Sequence, residues 1–257
     1  MNSLMPAQAD PWASETASAA FAPAARPVPP PRALSVVPRP PKPLLPSRHV
    51  APVTRHARAI RLLDLVVAGG ALMLLLPVLV AVALAIKLFD PGPLLFAHQR
   101  LGQGGRAFGC LKFRSMKVDA DARLARLLEA DPAARAEWAE THKLRSDPRI
   151  TPIGRFLRRN CLDELPQLVN VLRGEMSLVG PRPITAAEAV RYGRHFPVYC
   201  SLKPGISGLW QVKRQDETSY RRRVAFDLAY ARSRSLALNC TILLLTVPSV
   251  LRGRGAC

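Results

Sequence analysis

The chain has 257 residues, with 37 Lys and Arg against 18 Asp and Glu and a net charge of +19. That excess selects anionic partners, whether nucleic acid, phosphorylated substrate or anionic lipid, and disfavours cationic ones. Cys110, Cys161, Cys200, Cys240 and Cys257 form no CxxC pair, which argues against a disulfide framework and a thiolate zinc site and fits a reducing compartment.

In chain order, 13 of the 25 prolines fall in residues 1–52, where missing donors and fixed φ angles prevent a packed core. Residues 1–57 therefore read as a disordered tail. The apolar segment after it begins too late for a signal peptide, and no small-residue cleavage pattern follows. Residues 58–257 suffice for one domain plus a membrane element.

That element is residues 65–86, in which 22 residues pass without a charge. Its length suits a transmembrane helix. Arg55, Arg58 and Arg61 lie before it, however, and Lys87, Arg100, Arg106, Lys112, Arg114 and Lys117 after it, so the positive-inside preference draws both ends to the cytoplasm. A hairpin bent at Pro77 would have arms rising about 15–18 Å, roughly half the hydrocarbon core. Proline can also simply kink a spanning helix, so the residues alone leave the re-entrant and single-span readings open. A buried helix of a soluble core fits less well, because no polar face exists.

Two short strands are predicted around the Gly-rich turn at Gly102 to Gly105, which is not a phosphate loop, since no GK[ST] follows. A helix is predicted from Asp119, with Leu124, Leu127 and Leu128 on one face and Pro132 interrupting it. Next, Leu165, Leu168, Val169 and Leu172 mark a buried helical stripe ended by Gly174. Pro166 is tolerated only in a first turn, so Asp163 and Glu164 are expected at the cap or first-turn positions.

Acids there complement the helix dipole, which is sufficient reason for them by itself. Nearby, though, Arg158, Arg159, Arg173 and Arg182 can gather phosphate oxygens around the pair. A carboxylate can attack phosphorus to form an acyl phosphate, while a second holds Mg²⁺ on a diphosphate.

These residues lie in motifs, namely KFRSM (112–116), DPRITPIGRFLRR (147–159), LDELPQLVNVLRGEMSLVGPRP (162–183), KPGISGLWQV (203–212) and RVAFDLAYAR (223–232), together with the terminal segment 243–257. In order and over nearly all of residues 58–257, the chain resembles the bacterial sugar transferases, the monotopic polyprenyl-phosphate phosphoglycosyl transferases. It resembles their compact, exopolysaccharide-initiating form. The resemblance implies transfer of a sugar 1-phosphate from a UDP-sugar to undecaprenyl phosphate, with UMP released, at the bacterial inner membrane and with the catalytic domain facing the cytoplasm. It further implies that Asp163 is the nucleophile, that Glu164 helps hold Mg²⁺, and that Arg158 and the Pro181-Arg182-Pro183 motif contact phosphate. Lys112 and Asp227 match active-site positions. Pro77 matches the family's helix-breaking proline and favours the re-entrant reading.

The implied fold is α+β and mostly helical: a re-entrant helix-break-helix over residues 58–90, then a cytoplasmic catalytic domain over residues 91–257. That domain is expected to hold a short β-hairpin and interfacial amphipathic helices. The chain departs from many relatives at Asn160-Cys161 and at Gln215, where an arginine is common; Arg214 is the candidate anion contact in its place. Thiol catalysis by Cys161 is disfavoured, since no histidine lies near it in sequence.

Trp210 is expected either to stack on a base or sugar or to pack internally. Arg221-Arg222-Arg223 reads as a solvated or lipid-facing run; lacking interleaved aromatics, it does not suit nucleic acid. Residues 236–251 are too short and too interrupted to span comfortably and are expected in the interface. Glucose and galactose are the leading donor sugars, and a homodimer is allowed. The competing class is a membrane-tethered, non-enzymatic anionic-ligand or scaffold module. It would leave the carboxylate pair unexplained.

Overall fold

A computed structural model describes residues 56–141, 144–213 and 219–251. All but the last two residues of the expected tail, 1–57, lie outside the described residues, as do Arg214 and Gln215.

Helices α1 (Ala57–Leu74) and α2 (Leu76–Phe89) meet at a bend of 59°. The break falls at Leu75 because Pro77 has no N–H to give the carbonyl four residues back and its ring crowds that turn. No single helix among the described residues is long and apolar enough to cross a membrane, but this bent pair has the length and composition together. Its arms, of 18 and 14 residues, together exceed the 22-residue uncharged segment because each continues into charged flanks. Met73, Leu74, Leu76 and Leu84 are exposed, so a buried soluble-core helix is not what forms.

Strands β1 (Leu95–Leu101) and β2 (Ala107–Phe113) pair antiparallel as expected, with Arg100 opposite Phe108, His98 opposite Cys110 and Phe96 opposite Lys112. Helices α3 (Ala120–Ala130) and α4 (Pro132–Thr141) follow, Pro132 starting the second where its missing donor costs nothing. The leucine face of α3 is not buried. In α5 (Pro152–Arg159), Thr151 caps the start by accepting from the Gly154 N–H at 2.9 Å. The backbone of α5 lies against Ser115 so closely that a Cβ on Gly154 would collide with the Ser115 carbonyl.

The carboxylate pair departs from expectation. Asp163 and Glu164 sit in a separate 3-10 turn, Leu162–Glu164, and α6 begins only at Gln167, with Pro166 as its cap residue, and runs to Arg173. Cys161, before the turn, is in the left-handed region at φ 54°. It is also disulfide-bonded, which the cysteine spacing did not predict, whereas Cys110, Cys200 and Cys240 are free. The buried face of α6 is Gln167, Leu168, Asn170 and Val171, rotated from the predicted stripe because Asn170 turns inward to bond β2. Gly174 ends α6 at φ 83°, as expected.

Two three-residue strands were not foreseen. β3 (Ser177–Val179) and β4 (Gly205–Ser207) pair in parallel, and Gly205 N donates to Pro181 O at 2.8 Å, pinning the Gly180-to-Pro183 loop beside them. Another 3-10 segment, Ala189–His195, leads to the short helices α7 (Phe196–Cys200) and α8 (Leu209–Val212). Finally come α9 (Tyr220–Ser233) and α10 (Leu236–Leu251).

The main core joins Ala68 of α1, Leu168 and Val171 of α6, Leu178 of β3, Tyr230 of α9 and Ile242 of α10. A second cluster packs Leu101, Ile184, Tyr192 and Val224, and a third packs Val82 and Ile86 of α2 against Phe113 and Leu157. The outer face of α10 exposes Leu244, Leu245 and Val247. Helix α1 is keyed to this core by polar groups as well. Arg61 donates to the carbonyls of Val171 and Leu172 at 2.7 and 2.9 Å, and buried Asp64 accepts from Ser177 Oγ and Leu178 N at 3.0 and 2.9 Å.

Candidate active site

A narrow cleft of about 20 Å³ opens where the hairpin, the Leu162–Glu164 turn, the Pro181-to-Pro183 loop and β4 meet. Its walls include Arg100, Lys112, Glu164, Arg182 and Gln211. Three cations face one carboxylate there, an electrostatic cage for a polyanion. Arg100 and Lys112 reach the same cleft because they occupy one face of the hairpin: the 96:112 and 100:108 pairings put both at even spacing on that face. Lys112 Nζ donates to Glu164 Oε1 at 2.5 Å.

Asp163 lies immediately behind. It is 4% exposed, and its Oδ1 is buried without a hydrogen-bond partner. Burial pushes its carboxyl above the usual carboxylate range; Lys112 and Arg158 pull it down, while Glu164 pushes it up. A carboxylate with one oxygen buried and unpartnered is a better nucleophile than one in water. Arg158, on α5, is fixed by donating from Nε to Ser115 Oγ at 2.8 Å. Arg182 is half-buried, and desolvation lowers its pKa; Glu164 opposes this, and Arg223 and Arg100 add to it.

Asp227 is placed elsewhere. It is buried on α9 and accepts from Tyr192 Oη at 2.6 Å, outside the cleft lining, and burial raises its pKa to about 6 against the pull of the Tyr192 hydrogen bond and Arg223. Its partner Tyr192 lines a wider groove with Arg191, His195, Tyr220 and Leu228, which contains neither Asp163 nor Glu164.

Trp210 is buried, with the guanidinium carbons of Arg182 and Arg223 at 6.0 and 5.5 Å from its ring centroid. It packs as a support. Arg223 corrects the reading of the arginine run: Arg221 and Arg222 are exposed, but Arg223 turns inward, 3.9 Å from Glu188, because successive helical residues point about 100° apart. Sequence reasoning also missed Arg100, whose position opposite Phe108 was implicit in the hairpin register.

Among the described residues no group of three metal-ligating side chains gathers. The site nonetheless fits Mg²⁺, which is commonly held by one or two carboxylates plus substrate phosphates, and the orphaned Asp163 Oδ1 leaves an acceptor beside Glu164.

The model of the family described as "Bacterial sugar transferase" matches residues 55–253. The chain belongs to that family. It is 50% identical over 196 residues to "UDP-galactose-lipid carrier transferase" of Erwinia amylovora, covering 76% of this chain and 41% of that protein. It is 42% identical over 196 residues to "Exopolysaccharide production protein ExoY" of Sinorhizobium fredii, covering 76% of this chain and 87% of that one. To "UDP-glucose:undecaprenyl-phosphate glucose-1-phosphate transferase" of Escherichia coli it is 40% identical over 192 residues, 72% of this chain and 38% of the relative. The chain thus spans about two-fifths of the first and third relatives and most of the second.

Proposed function

We propose that the chain transfers a sugar 1-phosphate from a UDP-sugar to undecaprenyl phosphate, giving undecaprenyl-diphosphate-sugar and UMP, as the first step of exopolysaccharide assembly. The observation that carries this reading is the desolvated Asp163 behind a cleft walled by Lys112, Arg100 and Arg182, in a chain whose relatives are named for lipid-carrier and undecaprenyl-phosphate transfer. Galactose and glucose, the sugars in those names, are the donors to test first.

In the first half-reaction, an Asp163 carboxylate oxygen bonds the β-phosphorus, and the bond from that phosphorus to the bridging oxygen breaks. UMP leaves, and the sugar phosphate remains as a mixed anhydride on Asp163. In the second, an oxygen of undecaprenyl phosphate attacks the same phosphorus and the carboxylate is released. Lys112, Arg182 and Arg158 neutralise charge on the phosphoryl oxygens. Glu164 would hold Mg²⁺, which supplies Lewis-acid neutralisation of the diphosphate when bound. The proposed arrangement places the bent pair α1 and α2 as a re-entrant element of the cytoplasmic membrane, residues 58–90, with residues 91–257 on the cytoplasmic side and α10 in the interface.

Purified protein is incubated with Mg²⁺ and UDP-glucose or UDP-galactose alone. A stoichiometric burst of UMP and a matching mass adduct are expected, discharged by undecaprenyl phosphate. Asp163→Asn should form no adduct at any Mg²⁺ concentration, whereas Glu164→Gln should form it slowly and need more Mg²⁺. Wild-type protein that releases no UMP until lipid is added would rule out the covalent route. UDP in place of UMP would make the chain a simple glycosyl transferase, and no release of either would favour the scaffold reading.

A further inference from the structure

Glu188 lies outside every motif that drew attention in the sequence, yet it joins the cleft-lining Arg100 to Arg223. Its Oε2 accepts from Arg100 Nη1 at 3.2 Å and from the Thr185 N–H and Oγ1 at 2.8 and 3.1 Å. Its Oε1 stands 3.9 Å from Arg223 Nη1. Arg223 Nε and Nη2 are buried without hydrogen-bond partners, so among the described residues Glu188 is the one carboxylate within ion-pair distance of this guanidinium. Arg223 in turn stands over Trp210, which also lies under Arg182. Two cleft-lining guanidiniums, Arg100 and Arg182, and a third behind them, Arg223, are thereby gathered together, where without a counter-charge they would repel one another.

Arg100 is the member whose aim depends on Glu188. It lines the cleft, and its remaining contacts are neutral: the Pro183 carbonyl at 3.3 Å and His98 Nδ1 at 3.2 Å. His98 is held neutral, its pKa lowered to about 4 by burial first and then by Arg100 and Lys112. The carboxylate of Glu188 is thus the only charged acceptor on Arg100 among the described residues.

We propose that Glu188 is a positioning residue that fixes Arg100 toward the donor phosphates. The proposal rests on the transferase reading. A simpler role competes with it. Thr185-x-x-Glu188 forms a reciprocal capping box, since Glu188 N also donates to Thr185 Oγ1 at 3.3 Å. Glutamine serves that box as well as glutamate does, but it carries no charge for Arg100 or Arg223. Glu188→Gln therefore separates the two roles.

The test is a double-mutant cycle with Arg100→Ala, read by calorimetric binding of UDP in the presence of Mg²⁺ and by UMP release. Glu188→Gln alone should weaken UDP binding and lower kcat/KM by about tenfold, the order expected for one charge-assisted contact, while the melting temperature stays at the wild-type value. In the Arg100→Ala background the same substitution should change either quantity less than twofold. A tenfold loss repeated in that background, or no loss in the wild-type background, overturns the proposal. Should Glu188→Gln lower the melting temperature, Thr185→Ala repeats the cycle. An effect that vanishes without Arg100 supports the positioning role, and one of equal size in both backgrounds assigns Glu188 to the cap alone. Wild-type protein that neither binds UDP nor releases UMP would defeat the transferase reading itself, and this proposal with it.

Discussion

Asn170→Ala attacks the joint between α6 and the hairpin. Asn170 is 0% exposed, and its side chain makes three hydrogen bonds: Nδ2 donates to Gly109 O at 2.8 Å and to Glu175 Oε2 at 2.6 Å, and Oδ1 accepts from Leu111 N at 2.9 Å. Alanine removes all three and leaves a strand N–H and C=O facing an apolar core. At about 1 kcal/mol for each neutral bond and somewhat more for the one to a carboxylate, the loss is about 3–5 kcal/mol. For a domain of this size that corresponds to a fall of roughly 6–20 °C in melting temperature. Catalysis should suffer even well below the melting point, because Leu111 precedes Lys112, and small misplacements of a phosphate contact cost on the order of a hundredfold. Thermal unfolding in nanodiscs, paired with UMP release at low temperature, measures both. A fall of less than about 2 °C with unchanged kcat/KM would show that the joint between helix and strand does not set the cleft, and the account of Lys112 placement would fail.

Pro77→Leu restores a backbone donor opposite the Met73 carbonyl and removes the ring clash, so α1 and α2 should merge into a straight helix that spans. In a cysteine-free background, single cysteines at positions 50 and 95 should both be shielded from an impermeant external reagent in the parent. Position 50 should become labelled after the substitution, and labelling of position 50 in the parent would establish a single span there. Asp227→Asn tests a buried acid whose folded pKa, about 6, lies above its ordinary 3.8. Between those values the folded state binds the proton more tightly than the unfolded one, so Asp227's contribution to stability falls as pH rises through that window. Asparagine still accepts from Tyr192 but does not titrate, so the variant should gain melting temperature relative to wild type from about pH 4 to about pH 6. A pH-independent difference would refute the buried, titrating carboxyl.

The elements that could be read from sequence are those with local signals. The hairpin announced itself through Gly102 to Gly105, the break in the apolar helix through Pro77, and the end of α6 through Gly174. Strands β3 and β4 had no such signal: three residues each, they pair across an intervening chain segment and show no alternation. The site divided the same way. Asp163, Glu164, Lys112 and Arg182 stand out as residue types in specific motifs, and the structure gathers them. Arg223 was hidden because a run of three arginines does not say which one turns inward. Glu188 was marked only by the Thr185-x-x-Glu188 pattern, whose capping meaning gives no hint of the two arginines it also meets. Asn170 breaks the predicted apolar stripe, because its task is to satisfy a neighbouring strand rather than to exclude water.

The contacts of Arg61 and Asp64 give the bent helix a role beyond anchorage. Both residues belong to α1, and both bond the backbone of the catalytic core, one at the last carbonyls of α6 and the other at the start of β3. If α1 lies in lipid as proposed, its tilt cannot change without pulling on the helix that begins three residues after Glu164. Bilayer thickness then becomes a variable of the chemistry, and the same enzyme should turn over at different rates in short-chain and long-chain lipids even when donor and acceptor are saturating.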